Sequence, residues 1–239
     1  MGNLDVYAES MKLVLLPGLD GTGRLFEPLV QALPSHLSPV VISYPNEKPL
    51  SYTELLRFVK VQLPSDENYV LLAESFSGPL AIEVSATQPP NLKALILSAT
   101  FVSNPALVPQ SMSFVLRGLF FTLEPSPLVV SRYLLGEKPP FDLVETFLSA
   151  KRSVPPDVLA FRTRSVMNAD VRRAFAACRL PILYLFAKQD RLIKRRSLAE
   201  MQRLKPEMSI VEIDGPHLLL QREPVKCVEA ITQFLSCAL

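Results

Sequence analysis

The sequence predicts an α/β fold, in which helices cover both faces of a mostly parallel sheet and a helical insertion interrupts the pattern. Short, continuously apolar segments alternate with segments of helical period, which is typical of strands buried on both faces. The alternation stops between about residues 101 and 180, where prolines separate helical segments. The chain has 239 residues, of which 49% are hydrophobic and 20% charged, so it can form one large core.

Four strands are predicted before the insertion, each an apolar run that ends at Gly, Pro or polar residues. They cover residues 12–18, 39–45, 69–73 and 92–100. Helices with apolar residues at helical spacing are predicted at 24–33, at 51–63 and from Phe76 onward. Ser51 and Glu54 have the spacing of a capping box at the start of the second helix. Helices between parallel strands form right-handed crossovers.

Residues 102–178 are predicted to form a helical cap within a single domain that spans residues 1–239. The alternation then resumes with strands at 181–190 and 208–215. Helices are predicted at 195–204 and at the end of the chain, over residues 224–239.

Composition and charge favour a protein that acts on a small molecule. The net charge of +2 does not indicate a nucleic-acid binder. Three cysteines share no metal or redox spacing, and two histidines are too few for a metal site, so neither a metal nor a cofactor is expected. Arginine, glutamate and prolines break the most apolar stretch, 111–135, so no stable membrane insertion is expected. Without a recognisable signal peptide, a reducing, cytoplasmic location is the simplest expectation.

Ser75 stands where the third predicted strand turns into a helix. Ala73 and Ser77 are small, which allows the strand and the helix to approach each other closely. Such a turn raises the serine hydroxyl above the carboxyl end of the sheet, where parallel sheets carry their chemistry. The first N–H groups of the helix point toward the same place. The turn therefore predicts a nucleophilic serine.

A serine hydroxyl becomes a good nucleophile when a base removes its proton, and a carboxylate in turn orients the base. Of the two histidines, His36 lies in a polar connection and is interpreted as a surface residue. His217 follows the last strand and is the predicted base. Asp190 ends the neighbouring strand and is the predicted acid. Asp214 is a rival, but it lies three residues before His217 and is better placed to bond its own turn.

The glycine-rich segment 17–23, PGLDGTG, follows the first strand and permits a close approach of its backbone. An oxyanion at the reacting carbonyl needs two donors, and the predicted ones are the N–H groups of Leu19 and Phe76. The segment lacks the Lys-Ser/Thr pair of a P-loop and the G-x-G-x-x-G spacing, which argues against a nucleotide site. Glu74 is expected to face away from the nucleophile and to contact nearby backbone or the insertion.

Together these segments resemble the α/β-hydrolase superfamily. The resemblance covers nearly the whole chain, from LVLLPGLDGTG through LLAESFSGPLA and LPILYLFAKQDRLI to GPHLLLQREP. Ser75, Asp190 and His217 come in the family's chain order of nucleophile, acid and base. By the same resemblance, Leu19 and Phe76 would form the oxyanion hole, and the insertion would be the family's cap.

The sequence departs from the family pattern at three places. The usual Gly-x-Ser-x-Gly is here AESFS, over residues 73–77, so small residues replace both glycines. The His-Gly of the oxyanion loop is Pro17-Gly18. The chain before residue 12 has room for at most one strand, so the family's leading antiparallel hairpin is expected to be missing.

The resemblance implies a serine hydrolase that cleaves oxygen esters or thioesters of a small molecule through an acyl-enzyme. Acyl transfer to an alcohol or amine and non-catalytic binding of a small ligand remain alternatives, since this fold hosts many functions. No nucleic-acid partner is expected, and the sequence does not indicate an oligomeric state. Large apolar residues in the insertion either line a pocket for an apolar acyl group or pack the insertion on the core: Met112, Phe114, Val115, Leu116, Leu119, Phe120 and Phe121.

Overall fold

A computed structural model describes residues 11–105 and 125–239 of the chain. Within these ranges six strands form one sheet in the order β2-β1-β3-β4-β5-β6, and every pair of neighbours is parallel. The strands are β1 (Met11–Leu16), β2 (Leu37–Val41), β3 (Tyr69–Glu74), β4 (Leu92–Ser98), β5 (Ile182–Ala187) and β6 (Ser209–Ile213). The predicted α/β fold is confirmed. The prediction that the family's leading antiparallel hairpin is missing concerns the segment before β1, and residues 1–10 lie outside the described residues.

Helices follow the strands, with short 3-10 turns at Arg24–Phe26 and Ser75–Ser77 and a π-helical turn at Ser131–Leu135. The α-helices are α1 (Glu27–Ala32), α2 (Tyr52–Lys60), α3 (Gly78–Ala86), α4 (Pro127–Val130), α5 (Phe141–Arg152), α6 (Pro156–Met167), α7 (Arg172–Ala177), α8 (Arg195–Leu204), α9 (Leu219–Arg222) and α10 (Pro224–Ala238). The short helix α9 was not predicted from the sequence.

The capping box at the start of α2 is confirmed. The Glu54 N–H donates to the Ser51 hydroxyl oxygen, and the Glu54 carboxylate accepts from the Ser51 N–H. This reciprocal pair satisfies two backbone donors that the first turn of a helix leaves without partners.

The second strand is shorter at its end than predicted, since β2 stops at Val41 instead of residue 45. Ile42 still donates to the Leu15 carbonyl at 3.1 Å, but Tyr44 donates to the Gly21 carbonyl at 2.7 Å. The chain therefore leaves the sheet to pack on the glycine-rich segment after β1.

The predicted helices on both faces of the sheet are confirmed, because successive side chains of β1 pack against helices on opposite faces. Leu13 and Leu15 pack in one apolar layer with residues of α1 and α10. Val14 and Leu16 pack in the opposite layer with residues of α2, α3, α7 and α8. Successive side chains of a strand point to opposite faces, so a strand buried on both sides is apolar at every position.

Helices α4 to α7 lie between β4 and β5, where the helical insertion was predicted. Part of it forms a small apolar cluster of its own, which includes Val130, Leu143 and Leu148 and also Leu218 from the chain after β6. Its role as a cap remains a prediction, and the proposed pocket residues between 112 and 121 lie outside the described residues. None of the helices formed by residues 11–105 and 125–239 is long and apolar enough to cross a membrane.

Candidate active site

The turn after β3 holds Ser75 in a strained backbone conformation. Its φ of 49° lies in the left-handed region, which costs a non-glycine residue on the order of 1–3 kcal/mol. The Ser75 carbonyl accepts hydrogen bonds from the Thr100 hydroxyl at 2.5 Å and from the Gly78 N–H. These two bonds hold the serine at the carboxyl end of the sheet.

Close packing at this turn depends on Gly78. The sequence predicts the small residue one position earlier, at Ser77. A Cβ at Gly78 would lie 1.9 Å from the Thr100 hydroxyl oxygen. Ser77 is fully buried and does more than occupy little space, because its hydroxyl donates to the Pro17 carbonyl and accepts from the Tyr44 hydroxyl at 2.5 Å. Ser77 thus ties the turn to the segment after β1.

The structure brings Ser75, His217 and Asp190 into one chain of hydrogen bonds. His217 Nε2 lies 3.0 Å from Ser75 Oγ, and His217 Nδ1 lies 2.8 Å from Asp190 Oδ2. An ionised carboxylate can only accept, so Nδ1 carries the proton and Nε2 is left to accept from the serine hydroxyl. The other Asp190 oxygen accepts the N–H groups of Leu192 at 2.7 Å and Ile193 at 2.9 Å, which fixes the carboxylate.

Charge around His217 favours its protonated form. Burial lowers the pKa of this imidazole, but the charge and hydrogen bond of Asp190, together with the charge of Glu74, outweigh that effect, and the pKa of His217 is raised. The ring is only 4% exposed. Because its pKa is raised, His217 binds a proton more tightly than an ordinary imidazole does.

Among the described residues, the hydrogen bond made by the Glu74 side chain goes to another side chain rather than to backbone or to the insertion. Glu74 is buried at the end of β3, where its Oε2 accepts from Gln221 Nε2 of α9 at 3.2 Å. Its Oε1 has no hydrogen-bond partner among the described residues. Burial raises the pKa of Glu74 to about 7, although His217 and Gln221 act against this. Because α9 was not predicted, this carboxyl–amide pair could not be anticipated from the sequence.

The two residues that the sequence analysis set aside lie away from this chain of bonds. His36 is exposed, and its carbonyl accepts from the Met11 N–H, at the amino end of the sheet. The carboxylate of Asp214 is exposed and accepts from Gln189 Nε2 at 2.9 Å.

The loop at residues 17–22 lies beside the serine turn, since β1 and β3 are neighbours and Leu16 pairs with Ala73. Every carbonyl of this loop accepts a hydrogen bond. The donors are Ser77 Oγ to Pro17, Gly21 N to Gly18, Arg162 Nη1 to both Leu19 and Asp20, Tyr44 N to Gly21, and Ser43 Oγ to Thr22. Hydrogen bonds to every carbonyl of this loop therefore hold its backbone in one conformation.

The predicted oxyanion donors, Leu19 and Phe76, stand on the two segments that meet here. Phe76 is the second residue of the 3-10 turn Ser75–Ser77, in the first turn, where a helix leaves its N–H groups without internal partners. Its carbonyl accepts from the Tyr52 hydroxyl at 2.8 Å, and its ring stacks on Tyr52 with the centroids 4.9 Å apart. Their role in binding an oxyanion remains a prediction.

Arg162 of α6 is a further residue near this site that was not singled out from the sequence. It is 1% exposed, and its guanidinium contacts only backbone carbonyl oxygens among the hydrogen bonds of the described residues. Nothing in the insertion's sequence marks one arginine among several as buried.

The arrangement fits proton transfer from a serine to an imidazole. Within residues 11–105 and 125–239, no three His, Cys, Asp or Glu side chains are grouped so that they could hold a metal ion.

Comparison with known proteins identifies the family. The sequence profile described as the alpha/beta hydrolase family matches residues 13–230. Among curated proteins, no significant sequence match was found.

Many solved structures share the fold at low sequence identity. An esterase from Exiguobacterium antarcticum is 14% identical with a TM-score of 0.80, and the match covers 95% of this chain and 92% of that protein. A lipase-esterase related protein from Clostridium acetobutylicum is 14% identical with a TM-score of 0.77, over 98% of this chain and 97% of that one. An enol-lactonase from Burkholderia xenovorans is 16% identical with a TM-score of 0.77, and the match covers 98% of this chain and 92% of that protein. At these identities the likeness concerns the fold alone.

Proposed function

The chain belongs to the alpha/beta hydrolase family, and on that premise we propose that it is a serine hydrolase that cleaves carboxylic oxygen esters or thioesters through an acyl-enzyme. The observation that carries this proposal is the chain of contacts from Ser75 Oγ to His217 Nε2 at 3.0 Å and from His217 Nδ1 to Asp190 at 2.8 Å. Nucleophile, base and orienting carboxylate are thereby all within hydrogen-bond distance.

In the first half of the reaction, Ser75 Oγ attacks the carbonyl carbon of the substrate while its proton passes to His217 Nε2. The carbonyl oxygen becomes an oxyanion, which accepts hydrogen bonds from the N–H groups of Leu19 and Phe76. The tetrahedral intermediate then expels the alcohol or thiol, which takes the proton from His217. An acyl group remains on Ser75.

In the second half, water replaces the alcohol. His217 accepts a proton from the water, whose oxygen attacks the acyl-enzyme, and the same donors bind the new oxyanion. Collapse of the intermediate releases a carboxylic acid and returns the proton to Ser75. Asp190 stays ionised throughout and stabilises the imidazolium. The raised pKa of His217 is consistent with this role.

The substrate class that we propose is a small acyl ester or thioester, with an apolar acyl group. Hydrolase family membership supports an ester-type bond, as do structural neighbours that are an esterase and an enol-lactonase. A cytoplasmic location remains a prediction.

The test is a turnover screen with p-nitrophenyl esters of increasing acyl length and with acyl-CoA thioesters. We expect hydrolysis of at least one series by the wild-type protein and none above background by Ser75→Ala. Equal rates for the two proteins would contradict the proposal. Addition of a small alcohol separates hydrolysis from acyl transfer, because an acyltransferase would form a new ester in place of the acid.

A further inference from the structure

One side chain of the insertion reaches into the loop that carries a proposed oxyanion donor. Arg162 Nη1 donates to the carbonyls of Leu19 at 3.1 Å and Asp20 at 2.7 Å, and Nη2 donates to the Pro45 carbonyl at 3.1 Å. The guanidinium carbon also lies 5.7 Å from the ring centroid of Tyr44. A single arginine thus joins the loop after β1 to the chain that follows β2.

Burial of this charge is unfavourable by itself. Loss of solvation lowers the pKa of Arg162, although nearby Asp20 opposes that change, and a guanidinium stays protonated in proteins. Removing a charged group from water costs several kcal/mol unless hydrogen bonds compensate it. Arg162 of α6 places this charge in the interior, and its three hydrogen bonds to carbonyl oxygens help to offset the cost. The same hydrogen bonds hold the loop in place.

The bonds act on the peptide units that surround the Leu19 N–H. The Gly18 carbonyl accepts from the Gly21 N–H at 3.0 Å, and this carbonyl belongs to the same planar peptide unit as the Leu19 N–H. Within one trans peptide the C=O and N–H point in opposite directions, so the direction of the Leu19 N–H is set by that bond. Arg162 then fixes the next two carbonyls, of Leu19 and Asp20, and so limits rotation on the other side of Leu19.

The loop is shaped to receive the guanidinium. Gly21 has a φ of 72°, and a Cβ at this position would lie 2.5 Å from Arg162 Nη1. Leu19 also packs against the cluster of Val154, Val158 and Leu159 at the start of α6. Shape and hydrogen bonding therefore both connect this loop to the insertion.

We propose that Arg162 is a positioning residue for the oxyanion hole, through which the insertion holds the Leu19 N–H in the direction needed for catalysis. This inference rests on the proposed function, because it assigns Arg162 a role in the same acyl transfer. It gives the insertion a part in the chemistry that does not depend on covering the site.

A residue that only stabilised the fold would affect the enzyme differently. Its loss would lower the amount of folded protein but leave the folded fraction with normal turnover. A positioning residue for an oxyanion donor affects the transition state and stable mimics of it, while binding of the ground-state ester changes little.

The experiment compares Arg162→Met and Arg162→Lys with Arg173→Met, which replaces an exposed arginine of α7 in the same insertion. For Arg162→Met we expect kcat to fall on the order of 10- to 100-fold, which is a smaller fall than removal of an oxyanion donor causes. KM should stay within about threefold of the wild-type value. Affinity for a trifluoromethyl ketone, which forms a tetrahedral adduct with the serine, should fall by the same factor as kcat. Arg162→Lys should recover part of both, and Arg173→Met should match the wild type.

Thermal unfolding and serine labelling separate the possible results. If Arg162→Met is folded and its kcat and ketone affinity equal those of Arg173→Met, the inference is wrong. If Arg162→Met does not fold, Arg162→Lys decides, and normal kcat and ketone affinity in that folded variant would equally overturn it. A wild-type protein that neither hydrolyses esters nor reacts with a fluorophosphonate at Ser75 would instead overturn the proposed function, and this inference with it.

Discussion

At the scale of single residues, the central feature of the site is a buried imidazole whose pKa is raised by two carboxyl groups. His217 forms a hydrogen bond with Asp190, and the charge of Glu74 also raises its pKa. Glu74 is buried and accepts a hydrogen bond from Gln221. Burial acts oppositely on the two titrating groups, since it lowers the pKa of His217 and raises that of Glu74. The nearby charges decide the outcome for His217, and burial decides it for Glu74.

The pH dependence of kcat/KM follows from the raised pKa of His217. Only the neutral imidazole can accept the serine proton, so activity is lost as the pH falls through the pKa of the free enzyme. We expect the midpoint of this acid limb to lie above the ordinary imidazole value of about 6.5. His36→Ala should leave the limb where it is, because His36 is exposed and remote. A midpoint below the ordinary value would contradict this account of the charges.

The identity of the acid is tested by a matched pair of variants. Asp190→Asn should lower kcat on the order of 10⁴-fold, as loss of the orienting carboxylate does in serine triads. Asp214→Asn should have little effect, since its carboxylate contacts Gln189 and is exposed. Steady-state kinetics of the two purified variants measure this directly. Similar losses in both would mean that the orienting acid lies elsewhere.

Glu74 should make the protein less stable as the pH rises. Its pKa is about 7 in the folded protein against 4.5 for an ordinary glutamate side chain, so between these values the folded state binds the extra proton. The free energy of unfolding therefore falls through that window and stays lower above it. Glu74→Gln should remove the effect and be more stable than the wild type above pH 7, on the order of 3 kcal/mol.

Denaturant unfolding at several pH values measures the effect of Glu74→Gln. Glu229→Gln, which changes an exposed carboxyl on α10, is the control and should follow the wild type. If the difference between Glu74→Gln and the wild type stays constant from pH 5 to pH 8, Glu74 does not titrate in this range.

At the scale of elements, the contact between the serine turn and the end of β4 determines whether the nucleophile can be presented. The Thr100 hydroxyl bonds the Ser75 carbonyl, and the Thr100 carbonyl accepts from the Tyr184 hydroxyl of β5 at 2.7 Å. Three neighbouring strands thus support one strained residue. The strain at Ser75 can persist because these bonds and the lack of a side chain at Gly78 allow no easy relaxation.

Gly78→Ala should strongly destabilise the protein. The added methyl would overlap the Thr100 side chain, whose Oγ1, Cγ2 and Cβ atoms would all lie within 2.7 Å of it. We expect a loss on the order of 3 kcal/mol in the free energy of unfolding, at the upper end for overpacking. Gly18→Ala is the matched control, since its methyl would meet its nearest neighbour at 3.6 Å, and it should cost less than about 1 kcal/mol. Equal unfolding midpoints would contradict the close contact.

Elements with a strong local signal could be predicted from the sequence, while the supporting contacts could not. The strands were predictable because burial on both faces makes every position apolar, and Ser75, Asp190 and His217 could be proposed as candidates because each follows a strand. Gly78 was missed because its need for a bare Cα comes from Thr100, 22 residues further along the chain. Arg162 and the pair Glu74 and Gln221 are invisible in sequence for the same reason: burial and partners are properties of the folded chain.

At the scale of the whole molecule, two distant parts of the chain meet at the carboxyl edge of the sheet. The β1 and β3 segments bring the loop at 17–22 and the serine turn, and the β5 and β6 ends bring Asp190 and His217. The insertion between β4 and β5 adds Arg162 to the loop. The fold places these groups together because parallel strands end at one edge.

The most direct test of the central claim is covalent labelling with a fluorophosphonate, followed by peptide mapping. The reagent reacts with an activated serine hydroxyl, so we expect a single label on Ser75 in the wild-type protein. His217→Ala should label much more slowly, and Ser75→Ala should not label. Ser77, whose hydroxyl is buried between Pro17 and Tyr44, should stay unmodified. A label on Ser77 or on another serine, or undiminished labelling of Ser75→Ala, would contradict the assignment of Ser75 as the nucleophile.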